Sequence, residues 1–370
     1  MIIKSGLVYQ NGKFQRKDLY TNGDKFSSSS DNDEVCEAGG FYVIPGLIDI
    51  HFHGANGEDF SNGTEKSLDT ILSYELESGV TSCCPATMTL PISRLEGIMT
   101  NAKDYQEKET NSRMLGINLE GPYLSEEKAG AQNREYLKRA DSTEFRCLQE
   151  KSGGKIKLVT IAPEFEENIK FIEDVRNEVV ISLGHSNAKF KEADEAFTKG
   201  ANHVTHLFNA MRPLHHRESG LIGAAYEDKA YVEMICDGNH ISDEVMKMAF
   251  KIFDEDKIVL ISDSMEGCGM PNGTYFLGDQ KVTTIDKKAY NNDGTIAGSV
   301  SNLMDIMKYL TSNKLLKLET AIKFASENPA KSIGVFDMVG SLDEGKYADF
   351  LIVDKDLNII SIYKSGKLVK

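Results

Sequence analysis

Pro45-Gly46-Leu47-Ile48-Asp49-Ile50-His51-Phe52-His53-Gly54 reads as a short buried strand that ends in two imidazoles. Alternate residues of a strand point the same way, so His51 and His53 can reach one ion. Gly46 before the run and Gly54 after it suit a strand end that opens into a loop. The pattern recurs along the chain. Residues 114–119 lead into Glu120-Gly121-Pro122, 179–183 into Gly184-His185-Ser186, 202–205 into His206, and 258–262 into Asp263. Residues 80–84, 156–161 and 231–236 are further apolar runs of the length of buried parallel strands, which makes eight runs with 46–50. Helical patterns at 65–77, 92–107, 164–177, 190–199 and 243–253 separate most of them, and 305–325 adds helices after the last. This alternation predicts an α/β protein, a (β/α)8 barrel, although an open doubly wound sheet shares the local pattern. In a barrel the C-terminal ends of the strands converge on one mouth, so residues far apart in sequence meet there.

The two ends of the chain have a different character. Short apolar pieces at 2–3, 6–9 and 12–14 surround Asn11-Gly12, a hairpin signal, and 27–34 reads as a polar, acidic turn. Residues 349–353, 359–363 and 365–368 repeat that strand-and-turn style. The expectation is a small β-domain from residues 1–45 and 336–370, with the barrel in 46–335.

The chain has 370 residues and a formal net charge of −15. Such a charge repels nucleic acid phosphates and anionic membranes, so neither is an expected partner. An anionic small molecule would need local cations or backbone N–H donors. The six cysteines form no CxxC motif and no compact disulfide framework, and Cys83-Cys84 reads as part of a buried strand. The first residues lack a continuous apolar segment, and no apolar run approaches the roughly 18 residues of a membrane span. The expected compartment is the reducing cytoplasm.

Each polar strand end, taken singly, also reads as a turn, cap or satisfied core residue. Four imidazoles and two carboxylates at strand ends point jointly to a divalent metal site. Without thiolates, the set suits Zn²⁺, Fe²⁺ and similar ions. Such an ion lowers the pKa of bound water from about 16 to about 7 and polarises a carbonyl, as amide or ester hydrolysis requires. Asp263 is then the natural general base and acid. His203, three residues before His206, is expected to face the other way, in a structural or helix-facing role. Ser186 is placed to cap a helix. His240, after the seventh run, is expected at the mouth, and His215, His216 and Arg217 in a loop.

Longer strings carry a resemblance. Leu119-Glu120-Gly121-Pro122-Tyr123-Leu124, Lys128-Ala129-Gly130-Ala131-Gln132, Gly184-His185-Ser186, Thr205-His206-Leu207-Phe208-Asn209-Ala210-Met211, Asp237-Gly238-Asn239-His240 and Ile296-Ala297-Gly298-Ser299 follow in that order. With the His51/His53 motif, and on to Gly345-Lys346-Tyr347-Ala348-Asp349, the chain resembles the amidohydrolase superfamily and, within it, the N-acetylglucosamine-6-phosphate deacetylase family. The resemblance implies a barrel with a small β-sandwich from both termini, usually as a homodimer. It implies that Glu120, His185 and His206 hold the catalytic metal and that His51 and His53 hold a second. One or two divalent ions per subunit follow, zinc first, with iron, manganese or cobalt also suited. Asp263 matches the catalytic acid/base. Ala131, Gln132, Asn209, Ala210, Asp237, Gly238, Asn239, His240, Ile296, Ala297 and Gly298 match substrate-contacting positions. Arg217 matches a phosphate-binding arginine that reaches the neighbouring subunit's site. The implied reaction is hydrolysis of N-acetyl-D-glucosamine 6-phosphate to D-glucosamine 6-phosphate and acetate. Some members carry His where this chain has Gln132, which hydrogen-bonds but cannot titrate. A cyclic-amide hydrolase is the alternative enzyme, but those often bridge two metals with a modified Lys, and Glu120 takes that place here. A non-catalytic scaffold would be expected to lose ligands that this chain retains.

Overall fold

The computed structural model describes residues 1–31 and 34–370, so part of the polar 27–34 segment, Asn32 and Asp33, lies outside the described residues. All eight expected parallel strands are present: β1 (Leu47–Phe52), β2 (Val80–Pro85), β3 (Ile117–Glu120), β4 (Ile156–Ile161), β5 (Val180–Leu183), β6 (His203–Val204), β7 (Tyr231–Met234) and β8 (Ile258–Leu260). β3 to β8 form one sheet in sequence order. β1 and β2 form another with the short strand Arg113–Met114. The third expected run is therefore split. Its first part pairs with β2 and its second with β4. Gly116 sits at the break, where a Cβ would come within 2.2 Å of Lys157 Cγ and 2.7 Å of the Lys155 carbonyl oxygen. Thr87 N–H donates to the Asn118 carbonyl at 3.0 Å and links β2 to β3. On the other side, Asp263 N–H donates to His51 O at 2.9 Å and His53 N–H to Ser264 O at 2.7 Å, which links β8 to β1.

Among the described residues, the α-helices in or after this series are α1 (Glu65–Glu77), α2 (Ile92–Asp104), α3 (Ser142–Lys151), α4 (Glu166–Val175), α5 (Phe190–Lys199), α6 (Gly220–Glu227), α7 (Asp243–Ile252) and α8 (Leu303–Ser312), followed by the short helices Leu318–Ile322 and Asn328–Ser332. α1 shows why they form. Thr64 and Ser67 close a reciprocal capping box, and Leu68, Ile71, Leu72, Glu75 and Leu76 are buried at helical spacing. α3 and α6 are additions to the sequence reading. α3 buries only Phe145 and Leu148, too thin a stripe to stand out, and α6 is apolar nearly all round, without an amphipathic period. α2 stops at Asp104 and α4 is shorter than expected at both ends. A three-stranded antiparallel sheet, Gly273–Leu277, Gln280–Ile285 and Lys288–Asn291, follows β8 and was also not expected from sequence.

The strands bury residues on both faces, as parallel strands between layers must. One face packs Leu47, Val80, Leu119, Val159, Leu183 and Leu260 into the cluster shared with the helices. The opposite face gathers Ile48, Ile50, Leu158, Ile235, Val259 and Ile261 with Ala330, Ile333 and Val335 from beyond α8. Cys83 and Cys84 are buried in β2, as expected, and all six cysteines are free. Strands from both ends of the chain, Ile2–Gln10 through Tyr42–Pro45 and Phe350–Val353 through Lys367–Leu368, join in one eight-stranded sheet. It curls over itself: Phe26 near one edge packs on Phe350 with ring centroids 6.0 Å apart. No described helix is long and apolar enough to cross a membrane.

Candidate metal centre

The residues singled out at the ends of β1, β3, β5, β6 and β8 meet in one cluster. Three sit on backbone that side chains rarely adopt: His185 (φ 45°), His206 (φ 28°) and Asp263 (φ 48°). Such strain persists only where surroundings hold it, and it concentrates at functional sites. Here it turns each side chain back over the strand ends. Gly121 (φ 83°), after Glu120, has no room for a Cβ, which would lie 2.1 Å from Thr89 Oγ1.

Two ligand groups share one carboxylate. His185 Nε2 and His206 Nε2 lie 3.2 and 3.1 Å from Glu120 Oε1, and 3.0 Å from each other. His51 Nε2 lies 3.4 Å from Glu120 Oε1, and His53 Nε2 lies 3.3 Å from Glu120 Oε2. Asp263 Oδ1 completes the cluster, 3.4 Å from His53 Nε2 and 3.9 Å from His51 Nε2. The sets His51–His53–Glu120 and Glu120–His185–His206 each converge within 4.8 Å. Zinc bonds of about 2.0–2.1 Å at tetrahedral angles place ligand atoms about 3.3 Å apart, so these residues fit a divalent ion. His51 Nε2 is buried without a hydrogen-bond partner, which also suits a ligand atom.

The electrostatics favour positive charge at the centre. Burial opposes ionisation of Glu120, but His51 and His185 hold its carboxyl well below the usual range. Burial likewise opposes the charge on Asp263, while the hydrogen bond and charge of His53 and the charge of His51 bring it below its ordinary value. Burial lowers and the carboxylates of Glu233 and Glu120 raise His51, for a net rise well above normal. His53 is pushed up to about 9 against its burial by Asp263 and Glu120. A bound cation supplies the same charge to neutral imidazoles.

The cluster opens into a cavity of about 330 Å³. Ala131, Gln132, Asn209, Ala210, Ile296, Ala297, Gly298 and His240 line it with His53, Glu120, His185, His206 and Asp263, while His51 lies beneath. Gln132 also grips the centre. Its Oε1 accepts from Thr89 N–H at 2.7 Å and its Nε2 donates to Glu120 Oε2 at 2.6 Å. Asp237, Gly238 and Asn239 stand behind the lining. Asp237 Oδ2 meets His240 Nδ1 at 3.0 Å. A Cβ on Gly238 would meet Tyr309, and Asn239 Nδ2 donates to Lys287 O at 3.2 Å. Burial lowers and the Asp237 hydrogen bond raises His240, for a net rise. Arg217 is exposed on its loop with Nη1 2.6 Å from His216 Nε2, away from the cavity of its own chain. Among the described residues, no Lys or Arg lines this cavity.

Two local expectations are corrected. His203 takes the structural one of its two expected roles and not the helix-facing one: its Nδ1 lies 3.1 Å from Ser182 Oγ and 3.8 Å from Glu233 Oε1, on the side of the candidate metal-ligand cluster. The alternation argument fails because β6 has only two residues and the chain turns sharply at His206. Ser186 is not a helix cap. It donates to Glu164 and accepts from Ala188 N–H, and α5 starts later, after Lys189. The sequence reading missed Met88, Thr295 and Leu277 of the cavity wall, the last carried by the unexpected hairpin. It also missed Glu233, whose one signal is a carboxylate inside an apolar run.

Comparison with known proteins accords with this geometry. Residues 42–369 match the amidohydrolase family. A Bacillus subtilis N-acetylglucosamine-6-phosphate deacetylase is 37% identical over 332 residues, covering 88% of this chain and 84% of its own. The Pasteurella multocida enzyme of that name superposes with a TM-score of 0.93 at 28% identity, covering 99% of this chain and 98% of that one. A Mycobacterium smegmatis enzyme of that name, solved as a variant in complex with N-acetyl-D-glucosamine-6-phosphate, also reaches 0.93 at 27% identity and covers 100% and 99%. The chain therefore belongs to the amidohydrolase family and is a hydrolase of amide bonds.

Proposed function

We propose that this protein removes the acetyl group of N-acetyl-D-glucosamine 6-phosphate, releasing acetate and D-glucosamine 6-phosphate. The observation that carries the reading is the pair of ligand groups sharing Glu120 beside Asp263, at the floor of a cavity of about 330 Å³. Glu120, His185 and His206 would hold the catalytic divalent ion, and His51 and His53 a second, zinc being the first choice for such ligands. The bound ion supplies Lewis acidity and lowers the pKa of water to about 7. Asp263, ionised at neutral pH, takes the proton of the attacking water and gives it to the departing nitrogen. Gln132 donates to Glu120 Oε2, the oxygen that also faces His53, and keeps the carboxylate oriented. Asn209, His240 and the wall formed by Ile296, Ala297 and Gly298 position sugar and phosphate.

Among the described residues, no guanidinium or ammonium group lines the chain's own cavity. A homodimer in which Arg217 of one copy reaches the phosphate in the other supplies it, and Arg matches phosphate bidentately. Arg217→Ala then raises KM for the phosphorylated substrate about ten- to a hundredfold, as for a lost charge-assisted hydrogen bond, and leaves KM for unphosphorylated N-acetylglucosamine unchanged. Steady-state kinetics on both sugars check this. His240 gives a second prediction. Because Asp237 raises its pKa, the imidazole stays protonated to higher pH, and its positive charge faces the anionic substrate. Asp237→Asn should raise KM about tenfold, with the largest difference on the alkaline side of the variant's lowered His240 pKa and little change in kcat. A KM profile against pH checks it.

The same reading takes β1 to β8 as one closed (β/α)8 barrel over residues 46–335, with 1–45 and 336–370 as a small β-domain. The hydrogen bonds from β2 to β3 and from β8 to β1 support it. The test of function is a substrate panel: N-acetylglucosamine 6-phosphate, its galactosamine counterpart, unphosphorylated N-acetylglucosamine and dihydroorotate. Acetate release from the first at the highest kcat/KM is expected. Turnover of the cyclic amide alone would replace the reading with a cyclic-amide hydrolase.

A further inference from the structure

Glu233 lies in the middle of β7 between Val232 and Met234 and is fully buried. A carboxylate so placed is costly unless its hydrogen bonds are met. One oxygen is satisfied. Oε2 accepts from His51 Nδ1 at 2.8 Å and from the backbone N–H of His206 at 3.2 Å. Oε1 has no hydrogen-bond partner. Its near neighbour, His203 Nδ1 at 3.8 Å, is engaged by Ser182. The arrangement singles out His51. His53 and His185 rest their Nδ1 atoms on neutral backbone carbonyls, of Ala86 at 3.2 Å and Lys128 at 2.9 Å. Among the described residues, His51 alone of these four imidazoles has a carboxylate on its Nδ1, and His206 Nδ1 is buried without a hydrogen-bond partner. A hydrogen bond to a carboxylate fixes which nitrogen carries the proton, sets the ring's direction and raises its basicity as a ligand.

We propose that Glu233 is a positioning residue that presents His51 Nε2 to the second metal position and pins the strained turn carrying His206, so that it sets occupancy of the second position more than the first. This rests on the metal-centre reading above. The Nδ1 proton of His51 goes to Glu233 Oε2, which leaves Nε2 with its lone pair toward Glu120. The side-chain contacts of His206 to Glu120 and His185 do not involve Glu233, which reaches His206 only through its backbone N–H, so the first position should be less affected.

The test is a competitive Zn²⁺ titration of the metal-free full-length wild type, Glu233→Ala and Glu233→Gln against a chromophoric chelator. Thermal melts of the same samples are recorded beside it. Two ions are expected in the wild type. Glu233→Ala should bind the first within a few-fold of wild type and the second about ten- to a hundredfold more weakly. Glu233→Gln keeps an acceptor for His51 and should restore part of that loss. Equal weakening of both ions together with a lowered Tm would assign Glu233 a structural role and overturn the proposal. So would unchanged affinities in Glu233→Ala, or in Glu233→Gln should the alanine variant fail to fold. A wild type that binds a single ion overturns the assignment of Glu233 but leaves the catalytic ion standing. A wild type that binds none overturns the metal-centre reading as well.

Discussion

Asp263→Asn should lower the rate of acetate release about 10³–10⁴-fold, with metal content and substrate KM within a few-fold of the parent. The substitution is nearly isosteric. The backbone at this position is tied on both sides, Asp263 N–H to His51 O at 2.9 Å and Ser299 N–H to Asp263 O at 2.7 Å, so the side chain stays where it is. What changes is the capacity to accept a proton. Imidazole contacts outweigh burial and keep the Asp263 carboxyl ionised, the state a base requires, whereas an amide has no comparable basicity. Metal analysis, single-turnover acetate release and KM on one preparation separate the outcomes. Retention of more than a tenth of the rate would remove Asp263 from proton transfer. Loss of the metal alongside the rate would make it chiefly a ligand.

Glu120→Ala should empty both metal positions and reduce turnover at least about 10³-fold, because this side chain belongs to both ligand groups. The comparison that gives the result meaning is with His185→Ala and His51→Ala. His185 belongs only to the group with His206, and His51 only to the group with His53. Each should weaken one ion selectively. Removing Glu120 also leaves Gln132 Nε2 without its acceptor and takes the negative centre from among four imidazoles. Protonated His51 and His53 then lack the Glu120 carboxylate that offsets their charge, and the variant should lose thermal stability as pH falls. Elemental analysis after gel filtration reads the metal content. Two ions retained by Glu120→Ala would separate the two groups and undo the shared-carboxylate arrangement.

The strand-end cluster is legible in the sequence because its signal is local: an apolar run, then His, Glu or Asp, then a turn. Glu120, His185 and His206 each follow that rule, and the fold brings them within 3.2 Å of one another. Other features depend on contacts that sequence spacing does not carry. Gln132 lines the cavity, and its amide also bridges Thr89 N–H and Glu120, a link made only when the loop after β3 folds back. Glu233 meets a partner 182 positions away. The hairpin sheet after β8 exposes every second residue of Gln280–Ile285, and its polar face resembles loop. The helix-facing alternative for His203 fails because alternation holds along a strand and not where the strand ends.

The most direct measurement is acetate release from N-acetylglucosamine 6-phosphate by one preparation taken through three states: as purified, stripped with chelator, and reloaded with Zn²⁺, Fe²⁺, Mn²⁺ or Co²⁺. Activity should vanish on stripping, return with at least one ion, and follow the number of ions bound per chain. Turnover that persists undiminished in metal-free protein would contradict the account.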